Sequence, residues 1–372
     1  MSPSPLNKRK TKAYFDDLIV QLEPTYLCNL KCIMCAHTYR DKVHGDIQPY
    51  MKLSLFKKIL NEIVDFCLSN SVSVNTLQLF WYGEPLLHPD IVEMIEYAVV
   101  LNQQYNLFKM IKIDTNFIPI SHSQIRRIVE ICEEYRDNSL RFSFSLDAIS
   151  PQTYQKIRGG DFNRAMSNIM YLIKMKESYH ALSPFMTFQF IIHPFNYNET
   201  KGFVDYWMEI LRRLKTRTKG NAIYLRKLVY LKQALNHTEK ETVKIHQNCI
   251  KGANFDSIVE DHFRLIIDRA ELTPRQTSGK REPCGSLWKN PSIASNGDLT
   301  FCCKDEMLRF KLGNLKHNTF SELWDGKLIN ELRMAQINGD FNEPEICRDC
   351  SGHMFIKISP SEIATYINTV KS

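Results

Sequence analysis

The stretch Cys28-Asn29-Leu30-Lys31-Cys32-Ile33-Met34-Cys35 decides how the chain is read. Three cysteines fall at spacing C-x3-C-x2-C just after an apolar run, Leu18-Ile19-Val20-Gln21-Leu22, that reads as a strand. Three thiolates on one short loop can bind three irons of a [4Fe–4S] cube. No fourth cysteine is nearby, so one iron keeps an open position, the feature that separates a catalytic metal site from a structural one. The alternatives are a zinc knuckle or three unrelated thiols.

Working outward, the composition sets bounds. The chain has 372 residues, 44% hydrophobic and 24% charged, which is ordinary for a globular protein with room for a full-size domain and a smaller one. The net charge is +7, and part of it sits in a basic tail, Lys8-Arg9-Lys10-Thr11-Lys12, read as a disordered end over 1–13. The remaining excess is spread out, without aromatic–basic interleaving, so no nucleic-acid partner is expected. No apolar segment follows the tail as in a signal peptide, and none is long enough for a bilayer, so no membrane is expected either. Eleven cysteines without an export signal suit metal ligands and buried thiols in a reducing, cytoplasmic setting rather than disulfides.

After the cysteine loop and a long connection, helices and strands alternate. Helices are predicted at 53–68, 89–102, 121–135, 162–176 and 199–214, and strands at 76–82, 108–114, 140–147, 185–192 and 222–231. With the first strand this makes six strands with a helix in each gap. Right-handed crossovers then predict an α/β fold, a partial (β/α)6 TIM-like barrel over 14–231, with its site at the carboxyl ends of the strands. Residues 232–281 lose periodicity and read as a linker or lid. A Cys-rich region of short strands and turns covers 282–358, and a short helix is predicted within 359–372.

Four further segments stand at predicted strand ends: Tyr82-Gly83-Glu84-Pro85, Asp114-Thr115-Asn116, Ser145-Leu146-Asp147, and Arg158-Gly159-Gly160 beyond Tyr154. Glu84 suits a cationic amine, and a guanidinium such as Arg158 suits a carboxylate. Glycine at Gly83 lets backbone approach a ligand. Taken with the cysteine loop, these segments resemble the radical SAM superfamily, in which the open iron is chelated by S-adenosylmethionine (SAM). Tyr82 departs from that family's G-G-E-P motif by replacing its first glycine. The resemblance implies that Cys28, Cys32 and Cys35 hold the catalytic cluster. It places Gly83 and Glu84 at the methionine ammonium, Asn116, Ser145 and Asp147 along the ribose and methionine, and Arg158 at the carboxylate. Met34 stands where the family places a residue against the adenine, or it is loop core.

Cys284, Cys302, Cys347 and Cys350, with Gly297-x4-Cys302 and Cys347-x2-Cys350, are similar to the SPASM/twitch module. Four placed cysteines rather than seven imply one auxiliary [4Fe–4S] cluster; a structural zinc site is the competing reading. Cys303 is adjacent, and Asp305 follows in a C-C-x-D pattern. Cys67 and Cys132 read as core, and Cys249 as an inert thiol in an irregular segment.

The activity that the resemblance implies is reductive cleavage of SAM to a 5′-deoxyadenosyl radical, which takes a hydrogen atom from a small-molecule substrate. A flavodoxin- or ferredoxin-type reductant would supply the electron. A dehydrogenase of a sugar, polyol or aminocyclitol is expected, with an epimerase or a peptide (RiPP) maturase as alternatives and a non-enzymatic metal-binding module as a third class. Only twenty-seven residues precede Cys28, too few for the winged helix with which many peptide maturases hold a leader. His37, His193 and Lys304 are candidates for a general base.

Overall fold

The computed structural model describes residues 15–39, 49–136, 138–214, 220–228, 239–253, 255, 263–268, 281–305, 307–348, 350 and 356–371. The basic tail, residues 40–48 and more than half of 232–281 lie outside the described residues.

The expected alternation is present. Strands β1 (Asp17–Leu22), β2 (Ser73–Gln78), β3 (Ile111–Thr115), β4 (Leu140–Ser145), β5 (Phe185–Ile192) and β6 (Asn221–Lys227) are joined by α1 (Leu53–Asn70), α2 (Ile91–Tyr105), α3 (His122–Glu134), α4 (Pro151–Arg158), α5 (Phe162–Tyr179) and α6 (Thr200–Arg213). Each strand pairs in parallel with the next. Local chemistry sets the helix starts. Ser121 and Gln124 form a reciprocal capping box at α3, Ser150 caps α4 with a proline in its first turn, and Asp161 caps α5. The gap between β4 and β5 therefore holds two helices, separated at Gly159, whose φ of 72° ends α4.

The structure adds a seventh parallel unit. Helix α7 (Glu239–Ala253) follows β6, and β7 (Phe263–Ile267) pairs with it, so the segment expected as a linker or lid contributes a strand to the sheet. Two features of the chain hid it: the strand is short and its exposure alternates on an edge. Strand β2 ends at Gln78, four residues earlier than predicted, because the chain after it turns to meet the carboxyl-terminal region.

Side chains alternate across the sheet. Phe142, Phe144, Phe188 and Phe190 are fully buried beneath the helices, where Phe188 stacks on Trp207 at 3.8 Å. Their neighbours face the other way: Lys112, Ser143, Thr187, Tyr224 and Ile266, from β3 to β7, line one cavity of about 720 Å³. Five adjacent strands can share one cavity only if the sheet is curved, as in a partial barrel.

The carboxyl-terminal region joins the same sheet. After α8 (Ser286–Lys289), β8 (Ser292–Ile293) pairs in parallel with β1, and β9 (Asp298–Thr300) and β10 (Lys311–Asn314) continue antiparallel. The order is β10-β9-β8-β1-β2-β3-β4-β5-β6-β7, a single ten-stranded sheet. Helices α9 (Phe320–Trp324), α10 (Lys327–Ile337), α11 (Glu345–Arg348) and α12 (Pro360–Lys371) complete the chain. Helix α1 grips this region: Lys58 Nζ donates to the Leu315 carbonyl at 2.7 Å, the Phe320 amide donates to Glu62 Oε2 at 3.0 Å, and Phe66 meets Phe320 edge-on.

Arg333 anchors the packing of these helices. It is fully buried and donates through Nε to the Leu287 carbonyl at 2.9 Å. Its guanidinium lies over Trp288, Trp324 and Tyr366 at 6.0, 5.5 and 5.8 Å. Arg333→Ala leaves a cavity among three rings and an unmatched carbonyl, and is expected to lower stability by about 3–5 kcal/mol. Chemical denaturation of the anaerobic protein measures this; an unchanged midpoint would show that the aromatic cage does not hold the region together.

Candidate active site

Cys28, Cys32, Cys35, Glu84, Asn116, Ser145 and Asp147 lie at or just beyond the carboxyl ends of β1 to β4, and Arg158, at the end of α4, reaches Asp147 and Cys32. The loop after β1 carries Cys28, Cys32 and Cys35, and several contacts fix its path. His37 Nε2 bonds the Tyr26 carbonyl at 2.7 Å, Thr38 Oγ1 donates to the Cys32 carbonyl at 2.8 Å, and the Ile33 amide donates to the Ile157 carbonyl at 2.9 Å. His37 thus closes the loop rather than standing available as a base. Met34 is buried with Leu30, Cys32, Ile157 and Leu228, which is the loop-core alternative.

Gly83 and Glu84 follow β2, and both make close contacts within the protein. A Cβ on Gly83 would lie 1.9 Å from the Thr25 carbonyl oxygen and 2.9 Å from that of Leu27. The glycine is therefore needed for the close contact between two loops. The Glu84 amide donates to the Leu27 carbonyl at 2.7 Å in the same junction. The Glu84 carboxylate is buried and already accepts three hydrogen bonds: from the Leu86 amide (3.1 Å), Thr115 Oγ1 (2.6 Å) and the Asn116 amide (2.7 Å). Burial pushes its pKa up to about 7, against the pull of those donors. Asn116 passes the connection on, donating from Nδ2 to Asn29 Oδ1 of the cysteine loop at 2.9 Å.

Beyond β4, Asp147 sits fully buried with a φ of 58°, an uncommon conformation for a residue with a side chain. From there its carboxylate accepts the Ile191 amide at 2.6 Å and pairs with Arg158. Arg158 also donates from Nη1 toward Cys32 Sγ at 3.7 Å. Burial opposes its charge, but Asp147 and the Cys32 sulfur more than offset this and raise its pKa above the usual arginine value. Ser145 closes β4 with a partly exposed side chain, in register with Gln189 of β5.

The residues present fit an iron–sulfur cluster with a bound amino-acid ligand. The donor set is sulfur only. Burial pushes the Cys28 thiol up to about 12, and its neighbours Glu84, Cys32 and Cys35 push the same way, so a strong positive centre is needed to draw off the protons. Backbone amides of Leu30, His37 and Thr38 point at these sulfurs. Beside them, Arg158 Nε and the Tyr154 hydroxyl are buried with no hydrogen-bond partner among the described residues. Such orphaned donors are rare unless a ligand completes them. Among the described residues, no three His, Cys, Asp or Glu side chains converge on a point the size of one metal ion.

A second thiol group lies in the carboxyl-terminal region. Burial raises the thiols of Cys302, Cys303 and Cys347, and the nearby Cys284 and Cys350 push the same way. Gln336 bridges two of the predicted ligands: its Oε1 accepts the Cys284 amide at 2.8 Å, and its Nε2 donates to Cys347 Sγ at 3.6 Å. Arg281 donates to the Arg348 and Cys350 carbonyls at 3.1 and 3.3 Å, holding the C-x2-C turn. Asp305 spends its carboxylate on the Arg309 and Phe310 amides and the Thr300 hydroxyl, so it supports the loop. Asp349 lies outside the described residues.

Several residues were missed from sequence. Glu23, directly after β1, is buried, and its Oε1 accepts the Tyr82 and Gly83 amides at 3.1 and 3.3 Å. An acid between a strand and a loop reads as surface, so nothing marked it. Trp81 Nε1 and Tyr82 Oη both donate to the Cys303 carbonyl at 2.9 Å. This explains why tyrosine replaces the motif's first glycine: its hydroxyl ties the loop after β2 to the second thiol group. Gln189 and Arg226 (Nη1 to Oε1, 2.9 Å) were also missed, although a polar residue alternating with phenylalanines in β5 was a usable signal. Cys249 lies on α7 rather than in an irregular segment, and its thiol is directed to the Tyr197 carbonyl at 3.5 Å.

Arg158→Lys keeps the charge but loses the fork that reaches both Asp147 and Cys32. It is expected to retain full iron content and to weaken SAM binding about tenfold or more. Titration of the anaerobic protein with SAM, followed by the change in its electron paramagnetic resonance signal, measures this. An unchanged affinity would remove Arg158 from the SAM site.

Two family patterns match the chain: the radical SAM superfamily over residues 22–206, and SPASM, an iron–sulfur cluster-binding domain, over 284–351. The antilisterial bacteriocin subtilosin biosynthesis protein AlbA of Bacillus subtilis is 22% identical over 326 residues, covering 84% of this chain; the chain spans 61% of that protein's length. The probable GTP 3′,8-cyclase of Methanococcus vannielii is 22% identical over 270 residues, covering 71% of this chain and 78% of that protein. Among solved structures, Streptococcus suis SuiB bound to S-adenosylmethionine superposes with a TM-score of 0.58 at 13% identity, covering 97% of this chain and 75% of that one, a likeness of fold. Both patterns match in the order in which their regions join the sheet, and the chain belongs to the radical SAM superfamily, in the group that carries a carboxyl-terminal SPASM iron–sulfur domain.

Proposed function

We propose that this radical SAM enzyme oxidises a small, hydrophilic substrate of the polyol, sugar or aminocyclitol class, held in the barrel interior beneath SAM. Cys28, Cys32 and Cys35 would hold the catalytic [4Fe–4S] cluster. Cys284, Cys347, Cys350 and Cys302 would hold one auxiliary cluster, with Cys303 alongside. When bound, the catalytic cluster and SAM supply a one-electron cleavage that yields a carbon radical able to take hydrogen from an unactivated carbon.

The protein's own part is to bind, orient and exclude water. Glu84 and Glu23 hold the loops after β1, β2 and β3 in one rim, so that the thiols and the SAM contacts keep fixed positions. Arg158, with its unpartnered Nε, receives the methionine carboxylate. The apolar wall of Leu30, Met34, Ile157 and Leu228 keeps water from the thiols.

The observation that supports the reading is a cavity of about 720 Å³ below the rim, bounded by Gln78, Ser143, Thr187 and Tyr224; no rim residue lines it, so a substrate held there must reach up to the rim to meet the radical. Its size and hydrogen-bonding walls match a small polar molecule. Oxidation is favoured over epimerisation because the thiol of Cys249 is directed to a backbone carbonyl beside α6 and not into the interior. Peptide maturation is the second reading, favoured by two likenesses: AlbA is a bacteriocin biosynthesis protein, and SuiB has been solved bound to a precursor peptide.

Two measurements test this. Anaerobic reconstitution is expected to give about 8 iron atoms per chain, and Cys28, Cys32 and Cys35 all changed to alanine about half of that. Stoichiometric zinc with a single cluster would remove the auxiliary-cluster assignment. Turnover in deuterated water is expected to give a product lacking two hydrogens, equally from the wild type and from Cys249→Ala. Solvent deuterium in an unoxidised product, lost in Cys249→Ala, would establish an epimerase; turnover of peptides alone would establish a maturase.

A further inference from the structure

The lower half of the barrel interior carries charge that the chain leaves unanswered. The cavity is lined by Lys112, Arg141 and Arg264, and by no aspartate or glutamate. Lys112 is answered by Asp114 at 2.9 Å. Arg141 is not: it donates to Thr187 Oγ1 at 2.9 Å and to the Gly220 carbonyl at 2.7 Å, both neutral. Among the described residues, neither Arg141 nor Arg264 has a carboxylate partner. Burial, and after it the like charge of Arg264, hold the Arg141 guanidinium below its usual pKa. Arg264 is exposed and Arg141 half-buried, so the two like charges line one cavity open to solvent, and an anion entering it would be attracted by both.

A third group points to the same ligand. Ser143 lines this cavity, is fully buried, and its hydroxyl has no hydrogen-bond partner among the described residues. Buried hydroxyls normally find a partner, and an orphaned one marks a missing acceptor. Ser143 and Arg141 share one face of β4 with Ser145 at the rim. At about 3.3 Å per residue, Ser143 lies roughly 7 Å and Arg141 roughly 13 Å below the level of Ser145.

We propose that the amino-terminal half of the barrel interior is a phosphate site, built from Arg141, Arg264 and the Ser143 hydroxyl, which anchors the phosphoryl end of a polyol- or sugar-sized substrate. The second half of this statement rests on the oxidation of a small hydrophilic substrate argued above. A carboxylate is met by one guanidinium in a planar fork. Two guanidiniums and a hydroxyl, brought from β4 and β7, suit a tetrahedral dianion. The depth of the site sets the length of the substrate: its phosphoryl group sits at the level of Ser143 to Arg141, roughly 7–13 Å below the rim, and its far carbons reach the level of Ser145.

The test is calorimetric titration of the anaerobic holoenzyme at constant ionic strength, with inorganic phosphate, acetate, sorbitol and sorbitol 6-phosphate as probes. One saturable phosphate site per chain is expected, at least tenfold tighter than acetate. Sorbitol 6-phosphate should displace phosphate and bind more tightly, while sorbitol should not. Arg264→Gln, at an exposed position that does not threaten folding, should weaken phosphate about tenfold; Ser143→Ala should weaken it about three- to tenfold, with unchanged iron content. No saturable phosphate binding, equal binding of phosphate and acetate, or unchanged binding in Arg264→Gln would overturn the site. Sorbitol 6-phosphate binding no better than phosphate would overturn the phosphorylated substrate. No turnover is involved, so failure of the oxidation reading in the deuterium experiment would leave the phosphate site standing, and the reverse also holds.

Discussion

The buried carboxylate of Glu84 is the contact on which the rim depends. It joins the loop after β2 to the turn after β3, while the backbone amide of the same residue joins that loop to the one after β1. Asn116 carries the connection to Asn29 of the cysteine loop, and the loop's Ile33 amide carries it to the end of α4. Arg158 and Asp147 then reach Cys32 on one side and β5 on the other. Four loops, after β1 to β4, and the end of β5 are fixed through polar groups shielded from water, where each such bond is strong and each missing partner costly. A cofactor held by three thiols and a handful of donors needs that rigidity, because misplacement by an ångström is expensive in rate.

The carboxyl-terminal region is attached at two levels. Strand β8 extends the sheet from β1, the strand that leads into the cysteine loop. Trp81 and Tyr82 reach from the loop after β2 to the Cys303 carbonyl. The two thiol groups are therefore tied to the same two loops through short, directional bonds. Gln336 and Arg281 do for the second group what Thr38 and the Ile33–Ile157 bond do for the first.

The barrel interior separates two kinds of chemistry along its axis. The rim gathers buried, paired charges around the three thiols, where we propose the cofactor is held. Below it the strands present hydroxyls, amides and two unanswered arginines to a cavity of the size of a small metabolite. Both depend on the same alternation, with aromatic residues toward the helices and polar residues toward the interior.

The sequence by itself determined the alternation of helices and strands, the position of the cysteine loop and the clustering of Glu84, Asn116, Ser145, Asp147 and Arg158 at strand ends. These are properties of local periodicity and of spacing along the chain. It could not disclose that Gly83 serves a contact between loops, since a clash with the Thr25 carbonyl exists only once two distant segments meet. Nor could it disclose Glu23, whose partners are amides 59 and 60 residues away. The seventh strand, the single ten-stranded sheet and the pairing of Arg141 with Arg264 across the interior were likewise decided by tertiary structure. Hydrogen bonds and charges act over a few ångströms of space, and separation along the chain carries no record of which groups will come that close.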